Sequence, residues 1–152
     1  MQLALLALGG AVIAGIAAWE ILHGRIGVKA DDPDRIARGR TIYAERCASC
    51  HGVNREGQEN WRRPLPDGSF PAPPQDATGH TWHHSDTELF VMVRDGSDMG
   101  NQGASRMPAF GGVLSNDEIV SVLAFIKSEW PAEIRSAQER LNRVAPTSHS
   151  QH

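Results

Sequence analysis

The chain has only two cysteines, a single tyrosine and 6% aromatic residues, and its basic side chains never cluster into a run. Each shortage excludes something. Two cysteines cannot complete a four-thiolate zinc site. A formal net charge of −3 without a basic run leaves no nucleic-acid footprint and no polybasic lipid-binding segment. With so few aromatic rings, a small core must be built largely from aliphatic side chains. No βαβ pattern, internal repeat, nucleophile or paired catalytic carboxylates can be found, so nothing points to catalysis on a small-molecule substrate.

What the sequence does have begins with an apolar run. At 152 residues the chain is one domain plus extensions. Residues 3–22 are almost wholly apolar, interrupted mainly by Gly9, Gly10, Gly15 and Glu20. Twenty helical residues span about 30 Å, the thickness of a bilayer core. Trp19 lies near one end, where indoles prefer the interface. Residues 1–22 are therefore expected to be an uncleaved transmembrane anchor. The competing expectation is a signal segment cleaved after Ala30, since Val28 and Ala30 supply small residues at the required offsets. Arg25 and Lys29 follow the apolar run and no basic residue precedes it, which runs against the positive-inside rule.

Beyond the apolar run the sequence reads as all α. Residues 23–34 form a short polar linker, with Asp32 or Asp34 as helix N-cap and Pro33 in the first turn. Ile36, Gly39, Ile42 and Tyr43 recur at helical spacing, and Gly39 lets another helix approach closely. Gly39 and Tyr43 are read as packing residues. Residues 52–86 form a long loop rich in Gly, Pro, Asn and Asp, the kind that wraps around something. Ser85 or Asp86 caps a helix through Arg94 that Gly96 ends. Residues 97–114 form a second loop. Ser115 and Glu118 make a capping box for a helix whose apolar face is Ile119, Val122, Leu123, Phe125, Ile126 and Trp130. After Pro131, residues 132–144 form a last helix with a thin apolar stripe of Ile134, Leu141 and Val144. It is expected to be a solvated extension, ahead of a partner-binding helix. The domain runs over residues 35–130, and residues 131–152 are a helical extension with a disordered tail.

Both cysteines lie in one pentapeptide, Cys47-Ala48-Ser49-Cys50-His51. A C-x-x-C-H run suits covalent haem attachment: two thiols add across the vinyl groups and the adjacent imidazole ligates the iron. Three other uses are open to two cysteines. A zinc site would recruit His80, His83 and His84, but leaves His51 unexplained. A thioredoxin-like pair needs a βαβ frame. A plain disulfide is common in exported chains. Haem attachment is the reading that uses His51 as well. His80, His83 and His84 are then open to propionate hydrogen bonding, a second metal or simple loop polarity.

The sequence resembles a class I c-type cytochrome of the monohaem, membrane-anchored or exported bacterial type. Three blocks over about residues 35–130 carry the resemblance. They are Gly39, Tyr43, Cys47, Cys50, His51 and Gly52; then Arg106, Met107, Pro108, Ala109 and Phe110; then Leu123 and Ile126 in the last core helix. The resemblance implies a small helical cytochrome c fold around one covalent haem c, with its first and last helices crossing near Gly39, Tyr43 and Phe125. It implies Met107 as the iron ligand opposite His51. A thioether suits haem iron, and Pro108 restricts Met107 to extended backbone. Met99, also in a loop, is the rival ligand, and Met92 lies inside an apolar helix. The family pattern also suggests a carbonyl of Pro73 or Pro74 as acceptor for the His51 Nδ1–H. Trp61 and Trp82 are candidate donors to propionates, and Arg62 and Arg63 candidate counter-charges.

The expected function is one-electron transfer between membrane-associated redox partners, without enzymatic activity of its own. The haem domain would face the periplasm from the cytoplasmic membrane, or be periplasmic if the N-terminal segment is cleaved. The alternatives are a fixed haem subunit of a larger respiratory oxidoreductase and a gas-binding or peroxidase-like haem protein.

Overall fold

The computed structural model describes residues 26–96 and 106–145. The apolar run at 3–22, Trp19, Met99 and the tail beyond residue 145 lie outside the described residues. Five α-helices and one 3-10 turn occur among the described residues, with no strand. Helix α1 is Pro33–Arg46, α2 is Ala48–His51, the 3-10 turn is Thr81–His83, α3 is Asp86–Asp95, α4 is Asn116–Ser128 and α5 is Ala132–Val144. The all-α expectation holds. No described helix is long and apolar enough to cross a membrane.

Local chemistry sets the helix ends. Asp32 caps α1 by accepting from the backbone N–H groups of Asp34 and Arg35, and Pro33 occupies the first position. Ser115 and Glu118 form the expected capping box on α4, and Ser85 with Glu88 forms a second one on α3. The left-handed φ of Gly96 (83°) ends α3.

Helix α4 is the central element. Ile119, Val122, Leu123, Phe125 and Ile126 are all nearly inaccessible, as is Trp130 just beyond its end. Tyr43 and Ile42 from α1 and Leu89, Phe90 and Val93 from α3 close around them. Helices α1 and α4 cross at Gly39, where a Cβ would lie 1.9 Å from the Ser121 carbonyl oxygen. The crossing therefore requires glycine. Phe125 meets the Tyr43 ring at 5.4 Å beside it.

Two expectations are corrected. Helix α5 is not a solvated extension: Gln138 is wholly buried and donates to Asp86 Oδ1 at 2.7 Å and to the His84 carbonyl at 3.2 Å. Nor is the stretch before α1 a free linker. Val28 is 3% exposed; its N–H donates to Asp86 Oδ2 at 2.8 Å and its carbonyl accepts from Lys127 Nζ at 3.0 Å. Lys127, itself buried, also pairs with Asp86 at 2.7 Å. One buried aspartate thus ties the incoming chain, α3, α4 and α5 together. The sequence pattern missed this because all of the tying groups are polar.

Candidate functional site

The C-x-x-C-H pentapeptide turns the corner from α1 into α2. Cys47 ends α1 with its N–H on the Tyr43 carbonyl, and its own carbonyl accepts from Cys50 N at 3.1 Å and His51 N at 2.9 Å. Both thiols are unpaired; Cys47 is half-buried and Cys50 exposed. Burial, aided by neighbouring Cys50, pushes the Cys47 thiol up to about 11. It is therefore a neutral thiol at pH 7 and lacks the low pKa of a reactive redox pair.

His51 is 9% exposed and its Nδ1 lies 2.9 Å from the Pro73 carbonyl. A carbonyl only accepts, so Nδ1 carries the hydrogen and Nε2 keeps its lone pair. Burial holds the imidazole pKa below its ordinary value, against the opposing pull of that carbonyl. The ring is thus neutral, oriented and able to ligate a metal.

The loop that supplies Pro73 is built to hold it. Gly57 donates to the His51 carbonyl at 2.8 Å, Gln58 to Ala72 at 2.9 Å and Gln75 to Arg55 at 2.8 Å. Residues 55–58 and 72–75 therefore run together beneath α2. Pro74 is gripped on both sides: a Cβ on Gly57 would meet its nitrogen at 2.4 Å, and one on Gly79 its oxygen at 2.0 Å. Trp130 Nε1 fastens the loop to the core through the Gln75 carbonyl at 2.8 Å. Of the two prolines suggested by sequence, Pro73 meets His51, while the Pro74 carbonyl faces Thr81 Oγ1 at 3.4 Å.

Tyr43 does more than pack. Its hydroxyl donates to the Gly52 carbonyl at 2.8 Å, next to His51. Burial pushes the phenol pKa up, so the hydroxyl remains a donor at any ordinary pH. Tyrosine in place of phenylalanine at this core position was the available sequence signal.

The Met-Pro segment is fixed from two sides. Phe110 and Gly111 donate to the last carbonyls of α3, on Val93 and Arg94, at 3.0 and 2.8 Å. A Cβ on Gly96 would lie 3.0 Å from the Met107 carbonyl oxygen, so the backbone passes close to the α3 terminus. Arg106 pairs with Asp67 of the long loop. The Ser69 hydroxyl and then Arg106 hold the Asp67 carboxyl down to about 2. Met107 is half-buried and packs against the core.

Residues 34–126 match the family model described as cytochrome c oxidase, cbb3-type, subunit III. The chain belongs to that family. It is a monohaem class I c-type cytochrome, an electron-transfer protein whose haem c is covalently bound. FixP, a cbb3-type cytochrome c oxidase subunit from Azorhizobium caulinodans, is 31% identical over 92 residues, covering 60% of this chain and 28% of FixP. The cytochrome thus spans little more than a quarter of that relative. Its fold is similar to that of cytochrome cL from Methylophaga aminisulfidivorans, with a TM-score of 0.52 and 20% identity over 81% of this chain and 73% of the other.

The buried polar inventory of the cytochrome fits haem. Trp82 Nε1, Arg55 Nε and Gln75 Oε1 are buried without a hydrogen-bond partner, although the Arg55 guanidinium also pairs with Glu129 at 3.1 Å; the two nitrogens are the groups that bear on a propionate. Both are donors, and propionate carboxylates are acceptors. Trp82 was a candidate from sequence; Arg55 was not, being hidden by its position just past the motif at a positive φ of 68°. Trp61 stacks on His80 at 5.3 Å and Arg62 lies 4.0 Å above the Trp61 ring. Arg63 is exposed. His83 stacks on Trp82 at 3.8 Å and His84 meets His80 edge-on at 5.6 Å. Among the described residues no group of three or more His, Cys, Asp or Glu is placed to hold a metal ion.

Proposed function

We propose that Cys47 and Cys50 would carry the haem through thioether bonds, that His51 Nε2 and the Met107 thioether would ligate its iron, and that Trp82 and Arg55 would receive the propionates. The haem supplies a one-electron iron couple when bound. The protein fixes what surrounds it. The His51 Nδ1 contact with Pro73 at 2.9 Å carries this reading, because it leaves Nε2 as a free, oriented donor beside two thiols. The doubly fastened Met107 backbone can present a sulfur without a helix.

The cytochrome would relay electrons between redox proteins of a bacterial respiratory membrane. Residues 1–22 would anchor it, and the body over 35–130 would stand on the periplasmic side with α5 packed upon it. Absorption spectra of the purified holoprotein test the ligands. The expected result is a weak sulfur-to-iron charge-transfer band in the oxidised form and no response to carbon monoxide in the reduced form. No band together with rapid carbon monoxide binding would overturn Met107 and favour a gas-binding or peroxidase-like protein.

A second reading is a fixed subunit of an oxidase, which the family description and the FixP relationship favour. Purification from mild detergent separates the two. Constant stoichiometry with other oxidase subunits supports the fixed subunit, and release as a single chain supports the carrier.

A further inference from the structure

The groove between residues 26–31, the start of α3 and the outer face of α5 has a volume of about 920 Å³. Lys29, Arg135, Arg140 and Arg143 line it, with Asp31 and Glu139 as the acidic residues at its surface. Not all of these charges are available. Arg135 donates to the carbonyls of Ser128 and Trp130, and Glu139 pairs with Lys127 at 3.2 Å. The buried Asp86 is satisfied by Lys127. Lys29, Arg140 and Arg143 are exposed and enter no ion pair among the described residues. Over the whole lining, five basic side chains (these three with Lys127 and Arg135) face three carboxylates (Asp31, Asp86 and Glu139), which leaves two positive charges in excess.

The chain path says what meets them. Ile26 is tied to Thr87 Oγ1 at 3.1 Å and Val28 to Asp86 at 2.8 Å, on the rim of this groove. The apolar run ends at residue 22, four residues earlier. Four residues reach at most about 14 Å. If that run enters a bilayer, the groove must lie against the lipid headgroups. Lys29, which with Arg25 contradicts the positive-inside rule as a topology signal, then lies beside headgroup phosphates.

We propose that Lys29, Arg140 and Arg143 form a binding site for the phosphates of anionic lipid headgroups, holding the α5 face of the cytochrome flat on the membrane. The site rests on the anchor reading above. It would set which way the domain faces and so restrict which partners reach the haem.

The test uses the full holoprotein in nanodiscs of phosphatidylcholine alone or mixed with phosphatidylglycerol, read by hydrogen exchange over residues 132–145. Exchange should slow in phosphatidylglycerol by roughly five-fold per engaged basic side chain, and the slowing should fade at high salt. The triple variant Lys29→Gln, Arg140→Gln, Arg143→Gln should exchange alike in both lipids. Its unchanged haem spectrum would show that it folds. Carbonate extraction separates the two levels of failure. Release from the membrane overturns the anchor and the site with it. Retention with lipid-independent exchange overturns the site alone. Slowing seen only in native membranes would also overturn it, in favour of an acidic protein segment.

Discussion

At the scale of single residues the site is a set of directed hydrogen bonds. His51 is aimed by Pro73, and the Gly52 carbonyl beside it is held by Tyr43. Tyr43→Phe removes the hydroxyl while keeping the ring on Phe125, so it should cost about 1 kcal/mol, measurable by denaturant unfolding of the holoprotein. It leaves His51 and its Pro73 contact in place, so the charge-transfer band should persist. Met107→Ala acts differently. With Met107 as the proposed sixth ligand, the variant should lose the charge-transfer band, bind carbon monoxide when reduced and show a lower reduction potential. An unchanged potential would remove Met107 from the iron. Neither the His51 acceptor nor the Tyr43 hydroxyl bond is a matter of spacing. The motif announced the ligand, and only the folded loop selected Pro73 over Pro74.

At the scale of elements the architecture turns on one crossing and two capping boxes. Gly39→Ala would drive a methyl group into the Ser121 carbonyl of α4, with no flexible side chain to yield. The helices must separate, and the loss should reach or exceed the ~1–3 kcal/mol usual for overpacking. A thermal melt of the holoprotein checks it. Ser115→Ala removes the α4 cap and should cost about 1 kcal/mol at neutral pH. The Ser115 backbone and hydroxyl hold the Glu118 carboxyl below its ordinary value. A depressed carboxylate stabilises the fold above its unfolded pKa of about 4.3 and loses that contribution as pH falls through the folded value. The gap between wild type and Ser115→Ala should therefore narrow on acidification below about pH 4. These elements were legible because helix caps and 3.6-residue periodicity are local. The 3-10 turn at Thr81–His83 was not: three residues leave no periodicity to read, and the Thr81 hydroxyl meets the Pro74 carbonyl only in the folded loop.

At the scale of the whole molecule, a buried polar knot joins parts far apart in sequence. Asp86 accepts from Val28 N, Lys127 Nζ and Gln138 Nε2, and its own N–H donates to Asn142 Oδ1. Asp86→Ala takes the nearest counter-charge from a buried ammonium, leaving it Glu139 and the Val28 carbonyl, and strips the Val28 N–H of its acceptor, so it should cost about 3–5 kcal/mol. Protease susceptibility should rise at both α5 and residues 26–31, because one acceptor holds both. Adding Lys127→Met should restore only part of the loss, as the Val28 N–H still lacks its acceptor. Both variants are read by urea unfolding. If proteolysis rises at α5 alone, the incoming chain has another fastening.

The sequence alone determined the chemistry: a C-x-x-C-H run followed by a Met-Pro loop names the cofactor and its candidate ligands, because covalent attachment and iron ligation depend on residue type at short spacing. It also determined the helices, their caps and the apolar face of α4, all set by near neighbours. Tertiary structure decided how the ends of the chain are used. Residues read as a linker and a solvated extension became one wall of the domain, since Lys127, Gln138 and Asp86 satisfy one another only when brought together from different helices. The basic groove has the same origin. The sequence contains no polybasic run, yet folding sets Lys29 on the same groove as Arg140 and Arg143. Charge adds by distance in space, and the order of residues along the chain does not record that distance.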